Sequence, residues 1–199
     1  RLVHARAVRM SYAEPVAASN FSFLRGASHP ADLVARAVEL GLKGMGEVRV
    51  GRFTSHSAPE KMAEDLTPLM RVLAARRLPV MFLTAWTQFG SALYHGMPLF
   101  IDDLAERFPE VPIIITKMGR GYDSLFEMCL LVAYKHENVY LDTVQTRPDH
   151  LARAVAEIGS QRVMFGTDWE QTWCAIKEPA DLYTRSLAIV EQSGISDSQ

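Results

Sequence analysis

The stretch VPIIITKMGRG, residues 111–121, decides the fold because it joins an apolar run to a charged, glycine-containing turn. Its apolar residues are continuous rather than alternating, which is typical of a strand covered on both faces in a parallel sheet. Lys117 follows this run directly. In a parallel sheet flanked by helices, functional side chains collect at the carboxyl ends of the strands. We therefore expect Lys117 to lie at a functional edge of the sheet.

Segments of the same kind, alternating with amphipathic segments of helical period, predict a β/α fold. The other predicted strands are GLKGMGEVRVG (41–51), PVMFLTA (79–85), NVYLDTV (138–144) and RVMFGTD (162–168), with one more within residues 1–10. The predicted helices cover residues 29–41, 65–77, 100–108, 122–136, 149–159 and 178–194. Strands alternating with helices in this way indicate a parallel sheet of βα units.

The fold class that follows is α/β, a TIM-barrel-like (β/α)8 fold with about six of its units present. A complete barrel needs about 250 residues, so we expect this 199-residue chain to form an incomplete one. We treat residues 1–199 as a single domain in which residues 1–29 are poorly assigned, since residues 11–29 fit no element well. Within it, we expect Asp149 to cap a helix that Gly159 ends, and the apolar helix at 122–136 to be well buried.

Composition limits the classes of partner. The net charge is −2 with scattered lysines and arginines, which argues against nucleic acid or a membrane surface as the main partner. The two cysteines form no disulfide framework, and no apolar run approaches the roughly 18 residues of a membrane span. We expect a cytoplasmic protein that binds a small-molecule substrate and associates into a homo-oligomer, because an incomplete barrel leaves strand edges unpaired.

From about residue 32 to residue 190 the chain resembles the amidohydrolase superfamily, in the branch that includes aminocarboxymuconate-semialdehyde decarboxylase. The segments that carry the resemblance occur in the order of that branch: LPVMF (78–82), FIDDLAERFPEVPIIITKMG (100–119), YKHENVYLDT (134–143) and RVMFGTDW (162–169). The resemblance implies a (β/α)8 barrel. It also implies a metal-dependent hydrolase or decarboxylase that acts on small carboxylated or carbonyl substrates, with a divalent cation such as zinc as cofactor.

This chain departs from the family at most of the implied metal positions. The family supplies an HxH pair on its first strand, a histidine after strand five, an aspartate after strand eight and a catalytic histidine after strand six. Only Asp168 matches, whereas Leu83 and Lys117 stand at the later histidine positions and no HxH occurs. Catalytic zinc sites use about three protein ligands. Asp168 is thus the one metal ligand that the resemblance implies, and we expect zinc to bind weakly or not at all.

A shorter segment resembles a different family. Residues 12–44, and SNFSFLRGASHP (19–30) in particular, are similar to the opening of the PHP domain of an error-prone DNA polymerase III alpha-type subunit. That domain is also a metal-binding β/α barrel, but Pro15-Val16-Ala17 stands where one of its histidines is expected. The similarity ends near Gly44.

Two residues are candidates for catalysis. Asp168 would transfer a proton or hold a metal, or else cap the next helix. Lys117 would anchor a substrate carboxylate or, if desolvation lowered its pKa, form a Schiff base. The alternative for Lys117 is a salt bridge to Asp168 or Asp142, and Glu47 is a further carboxylate within possible reach. Because two carboxylates favour the ammonium form, we expect a charged, paired lysine.

Four residues are candidates for substrate binding. Trp86 and Trp169 follow strand ends, where each would either line a pocket or pack in the core. His95 would either lean over the mouth of the barrel or lie on a surface loop. Arg120, between two glycines, would present its charge to an anion near the following helix.

Three hypotheses follow from the sequence. The first is an amidohydrolase-like hydrolase or decarboxylase in which most of the usual metal ligands are absent. The second is a catalytically inactive barrel that binds a small acid or assembles with another chain. The third is a lysine-dependent carbonyl enzyme that uses Lys117.

Overall fold

A single parallel sheet organises the computed structural model, which describes residues 36, 38–39, 41, 43–50, 58–84, 93–168 and 179–196. Its strands are β1 (Met45–Val48), β2 (Val80–Leu83), β3 (Ile113–Thr116), β4 (Val139–Asp142) and β5 (Val163–Met164). Their order in the sheet is the order in the chain, and every pairing is parallel. The five predicted strands are confirmed. The sixth, within residues 1–10, lies outside the described residues.

Helices follow the strands in alternation, as the sequence predicts. They are α1 (Met62–Arg76), α2 (Leu99–Arg107), α3 (Asp123–Lys135), α4 (Pro148–Ile158) and α5 (Pro179–Gln192). Parallel strands added one after another, each followed by a helix on the outside, are the construction of a β/α barrel. The fold is therefore α/β and TIM-barrel-like, and it is incomplete within the described residues.

The core lies between the sheet and the helices. The central strand β3 is buried along its whole length, and Ile113 and Ile115 are completely buried. Phe82 of β2 meets Phe100 of α2 edge to face, with ring centroids 5.5 Å apart. A strand that is apolar on both faces must be covered on both faces, so the continuous run quoted above accounts for the central position of β3.

The start of α4 differs from the sequence prediction. The N-cap residue is Arg147, and Pro148 occupies the first helical position, so Asp149 lies inside the first turn rather than capping it. Proline suits this position because its fixed φ is helical and its missing N–H would have no partner there. The predicted end of the helix is confirmed, since Gly159 has a φ of 84° and stops it.

The prediction that residues 122–136 form a well-buried helix is only partly right. Phe126 and Leu130 of α3 pack into the core, but Leu131 and Tyr134 are 64% and 67% exposed. These two residues lie three positions apart and therefore share one face of the helix. That face points away from the sheet.

The N-terminal third of the chain is described only in part. Arg36, Val38 and Glu39 are helical, and Gly41 has a φ of 78°, in agreement with the predicted helix end. Residues 1–30, including the polymerase-like segment at 19–30, lie outside the described residues. No helix in the described ranges has the length and apolar character that crossing a membrane requires.

Candidate functional site

Polar side chains gather at the carboxyl edge of the sheet. Thr84 follows β2, Lys117 follows β3, Asp142 ends β4 and Asp168 lies shortly after β5. Glu47 lies within β1. Because all strands run parallel, their carboxyl ends share one edge, and this edge is the mouth of a β/α barrel.

Lys117 and Asp168 form an ion pair at this edge. The Nζ of Lys117 contacts the Oδ2 of Asp168, and the two side chains are 3% and 15% exposed. Asp168 is one of the two alternative salt-bridge partners that the sequence predicts for Lys117. The residues are 51 positions apart, so the contact depends on the sheet that brings β3 and β5 to the same edge.

An unusual turn places the lysine. Lys117, Met118, Gly119 and Arg120 have φ values of 67°, 21°, 84° and 52°, all on the left-handed side that L residues rarely adopt. Gly119 lies so close to α3 that a Cβ there would overlap the backbone nitrogen of Phe126. The glycine therefore lets the turn fold tightly against the helix.

Asp142 supports the same turn from β4. Its Oδ1 accepts hydrogen bonds from the backbone N–H of Lys117 at 2.7 Å and from that of Val144 at 3.0 Å. The expected salt bridge from the ammonium of Lys117 to Asp142 is replaced by this backbone contact. Burial raises the pKa of Asp142 to about 6, although both hydrogen bonds and the charge of Lys117 oppose the shift. The charge of Glu47 adds to it.

Glu47 has partners other than Lys117. Its Oε1 accepts a hydrogen bond from the Nε of Arg49 at 3.0 Å, and its Oε2 accepts one from the hydroxyl of Thr116 at 3.2 Å. The carboxylate is thus held at the edge by β3 and by its own strand segment. The negative charge of Glu47 nevertheless interacts with Asp142 and contributes to the raised pKa of that group.

Of the four candidate substrate-binding residues, the structure describes His95 and Arg120. His95 lies in a short helical turn, Leu93–Gly96, and is buried rather than on the surface. Neither of its ring nitrogens has a hydrogen-bond partner among the described residues. Arg120 is half-buried in the turn that follows Lys117. Trp86 and Trp169 lie outside the described residues, so their roles stay predictions.

The sequence indicates Asp142 only as a partner for the lysine, and its burial and raised pKa are not predicted from the pattern. A detectable signal exists, because Asp142 is a carboxylate that directly ends an apolar strand, VYLD. What the pattern does not contain is the degree of burial, which sets the pKa. Cys129 is a contrasting case: burial raises the pKa of its thiol to about 12, which keeps it protonated and unreactive.

The described residues do not fit a catalytic metal. No three histidine, cysteine, aspartate or glutamate side chains in those ranges are arranged to hold one. Leu83 is a buried apolar residue, and Asp168 already contacts an ammonium group. An ammonium repels a cation and offers it no lone pair.

Comparison with solved structures supports the barrel. The chain is similar to an uncharacterized TIM-barrel protein from Bordetella bronchiseptica, with a TM-score of 0.53 and 18% sequence identity. The match covers 82% of this chain and 62% of that one. At this level of identity, the similarity concerns the fold.

Part of the chain is similar to error-prone DNA polymerases. It is 44% identical over 59 residues to the enzyme of Azoarcus sp. and 65% identical over 125 residues to that of Anaeromyxobacter dehalogenans. These matches cover 28% and 63% of this chain but only 6% and 9% of the polymerases. The chain thus spans less than a tenth of the length of these relatives.

A protein-family model also matches the chain. The sequence profile described as amidohydrolase covers residues 8–170, which include the sheet, the left-handed turn after β3 and the aspartate that pairs with its lysine. Such a family is implied as well by the ordered segments in the sequence. The chain belongs to the amidohydrolase family.

Proposed function

We propose that the chain is a hydrolase or decarboxylase of a small carbonyl or carboxylated compound, with Lys117 as a fixed cation and Asp142 as the proton-transfer group. The observation that carries this proposal is that two features occur together at the mouth of the barrel: a buried ammonium, Lys117, in contact with Asp168, and a second buried carboxyl group, Asp142, whose pKa is raised to about 6. Titratable groups with strongly shifted pKa values at the carboxyl edge of a parallel sheet are typical of active sites.

Asp142 is suited to proton transfer at physiological pH. General acid–base catalysis is most effective when the pKa of the group lies near the operating pH. With a pKa of about 6, Asp142 is mostly ionised at pH 7 and is a stronger base than an ordinary aspartate. In hydrolysis it would take a proton from the attacking water, and in decarboxylation it would return a proton to carbon.

Lys117 is suited to stabilise negative charge on the substrate. Both reactions develop negative charge on an oxygen atom beside the reacting carbon, and a fixed cation in a buried site stabilises such charge. The left-handed turn and the Asp142 hydrogen bond hold its backbone in place. The contact with Asp168 gives this side chain an anionic partner, which supports a role as a fixed cation rather than as a Schiff-base nucleophile.

A turnover screen tests this proposal. The full chain is assayed against small esters, lactones and N-acyl compounds for hydrolysis and against unsaturated and 2-oxo acids for release of CO₂, with and without a chelator. Asp142→Asn and Lys117→Met are compared with Lys135→Met, which removes a lysine paired with Asp102 on the protein surface. We expect activity to fall about 100-fold or more in the first two variants, in the range measured for general acid–base residues, and to be unchanged in the third.

Three results would overturn parts of the proposal. Turnover that Asp142→Asn and Lys117→Met leave intact would remove this edge from the mechanism. Loss of turnover in chelator would show that a metal outside the described residues carries the reaction. Binding of small acids without any turnover would favour the inactive barrel instead.

A further inference from the structure

We propose that the carboxylate of a small acid binds Lys117 by taking the place of Asp168. This inference rests on the proposed function, because it names a substrate class for the same site. It assigns Asp168 the role of an internal counter-ion that the substrate displaces, rather than that of a catalytic residue.

The burial of Lys117 requires a negative partner. Its side chain is 3% exposed, and Asp168 supplies the carboxylate that contacts its ammonium. Removing one partner from a buried ion pair leaves an uncompensated charge, which is strongly unfavourable. Asp168 can therefore leave only if another anion of similar size and geometry arrives, and a substrate carboxylate offers the same two oxygens.

The two partners are not equally fixed. Lys117 is held by the hydrogen bond from its backbone N–H to Asp142 and by the tight packing of Gly119 against α3. Asp168 is more exposed, at 15%, and lies beyond the end of β5 with a φ of 49°. Of the two residues, Asp168 is the one that can move toward water.

The neighbouring carboxylates already have hydrogen-bond partners of their own. Oδ1 of Asp142 accepts two backbone hydrogen bonds, and both oxygens of Glu47 have partners. Among the groups joined by these contacts there are three carboxylates and two cations, Lys117 and Arg49, when all five are ionised. Adding a further anion would make the net charge of this edge more negative. Replacing the carboxylate of Asp168 by that of the ligand would leave the net charge unchanged. Charge balance therefore favours exchange over simple addition.

Titration with ¹³C-labelled acetate followed by NMR tests the exchange directly. The proteins are the wild type, Asp168→Asn, Lys117→Met and the double variant Asp168→Asn/Lys117→Met. Glu47→Gln is the matched control, because it removes one negative charge from the same edge but leaves the ammonium of Lys117 in contact with Asp168. Acetamide, which has the shape of acetate without its charge, serves as the ligand control.

We expect saturable acetate binding to the wild type that Lys117→Met abolishes. Asp168→Asn should bind acetate at least about tenfold more tightly, because no carboxylate has to be displaced, and Glu47→Gln should improve binding by no more than about threefold. The double variant should not bind, and acetamide should gain nothing from Asp168→Asn.

Four outcomes would overturn the inference. They are equal affinities in Asp168→Asn and the wild type, equal gains in Asp168→Asn and Glu47→Gln, binding that persists in the double variant, and a wild type that shows no saturable binding. If Asp168→Asn does not fold, as judged by circular dichroism, Asp168→Ser, which also removes the carboxylate, takes its place in every comparison. The experiment needs no turnover: activity on a neutral substrate without acetate binding overturns only this inference, and acetate binding without activity overturns only the proposed function.

Discussion

Gly119 is the residue on which the geometry of the lysine turn depends most. We predict that Gly119→Ala destabilises the protein by about 2–5 kcal/mol, because it combines a left-handed φ with a clash against the backbone of Phe126. Gly121→Ala is the matched control, with a φ of 79° but only ordinary contact, at 3.6 Å, with the side chain of Arg147.

Urea denaturation of both glycine variants measures the difference. The control should lose about 1–2 kcal/mol, the left-handed cost alone. Equal losses in the two variants would contradict the close approach of the turn to α3.

Asp142 makes stability depend on pH in a direction opposite to that of an ordinary salt-bridged aspartate. Its pKa in the folded state, about 6, lies above the unfolded value of 3.8, so the folded protein holds this proton more tightly. Its contribution is therefore most favourable below pH 3.8 and is lost as the pH rises to about 6, by roughly 3 kcal/mol in total.

We predict that Asp142→Asn is more stable than the wild type at pH 7–8 and that this advantage shrinks toward pH 4–5. An asparagine oxygen can accept the same two backbone hydrogen bonds without carrying a charge. Denaturation curves at several pH values give the difference in unfolding free energy. An advantage that grows as the pH falls would show that burial does not control this carboxyl group.

At the residue scale, the sequence predicts which side chains meet better than it predicts how deeply they are buried or how their pKa values shift. The pairing of Lys117 with Asp168 could be predicted, because both follow strands whose ends must meet in a parallel sheet. The burial of His95 and the shifted pKa of Asp142 could not, because both depend on which distant side chains exclude water. Local spacing carries no information about that packing.

Two adjacent leucines on α3 show that the helix is stabilised by the face that packs into the core. Leu130 is buried and Leu131 is 64% exposed, although both contribute equally to an apolar sequence. We predict that Leu130→Ala costs about 2–5 kcal/mol of stability and that Leu131→Ala changes it by no more than about 0.5 kcal/mol. Chemical denaturation of the two variants checks this. A large loss in Leu131→Ala would mean that its exposed face is covered in solution.

The elements themselves follow from periodicity, and their ends follow from local chemistry. Continuous apolar runs located four of the five described strands, whereas β1 lies in GLKGMGEVRVG (41–51), which is not such a run. β5 is confined to Val163–Met164 although its apolar run is longer. A β-forming segment is a strand only where a neighbouring strand pairs with it. The pairing of β5 with β4 ends at Met164 and Asp142, so β5 ends there as well. The start of α4 was misplaced because Pro148 fits the first helical position better than Asp149 fits the cap.

The whole molecule has two sheet edges within its described residues. β1 pairs only with β2 there, and β5 pairs only with β4. Exposed strand edges favour association, because their backbone groups can pair with another chain. We predict a homo-oligomer at micromolar concentration, measured by multi-angle light scattering of the full chain. A monomer that persists at high concentration would show that other parts of the chain cover both edges.

The central claim is that Asp142, beside the buried ammonium of Lys117, transfers the proton in the reaction of this amidohydrolase-family chain. The pH profile of kcat/KM, on whichever carbonyl substrate is turned over, tests it most directly. Hydrolysis that uses Asp142 as a base should rise tenfold per pH unit below about pH 6 and level off above it, and Asp142→Asn should lose both the inflection and most of the rate. A profile without an inflection between pH 5 and 7, or one that Asp142→Asn leaves unchanged, would contradict the account.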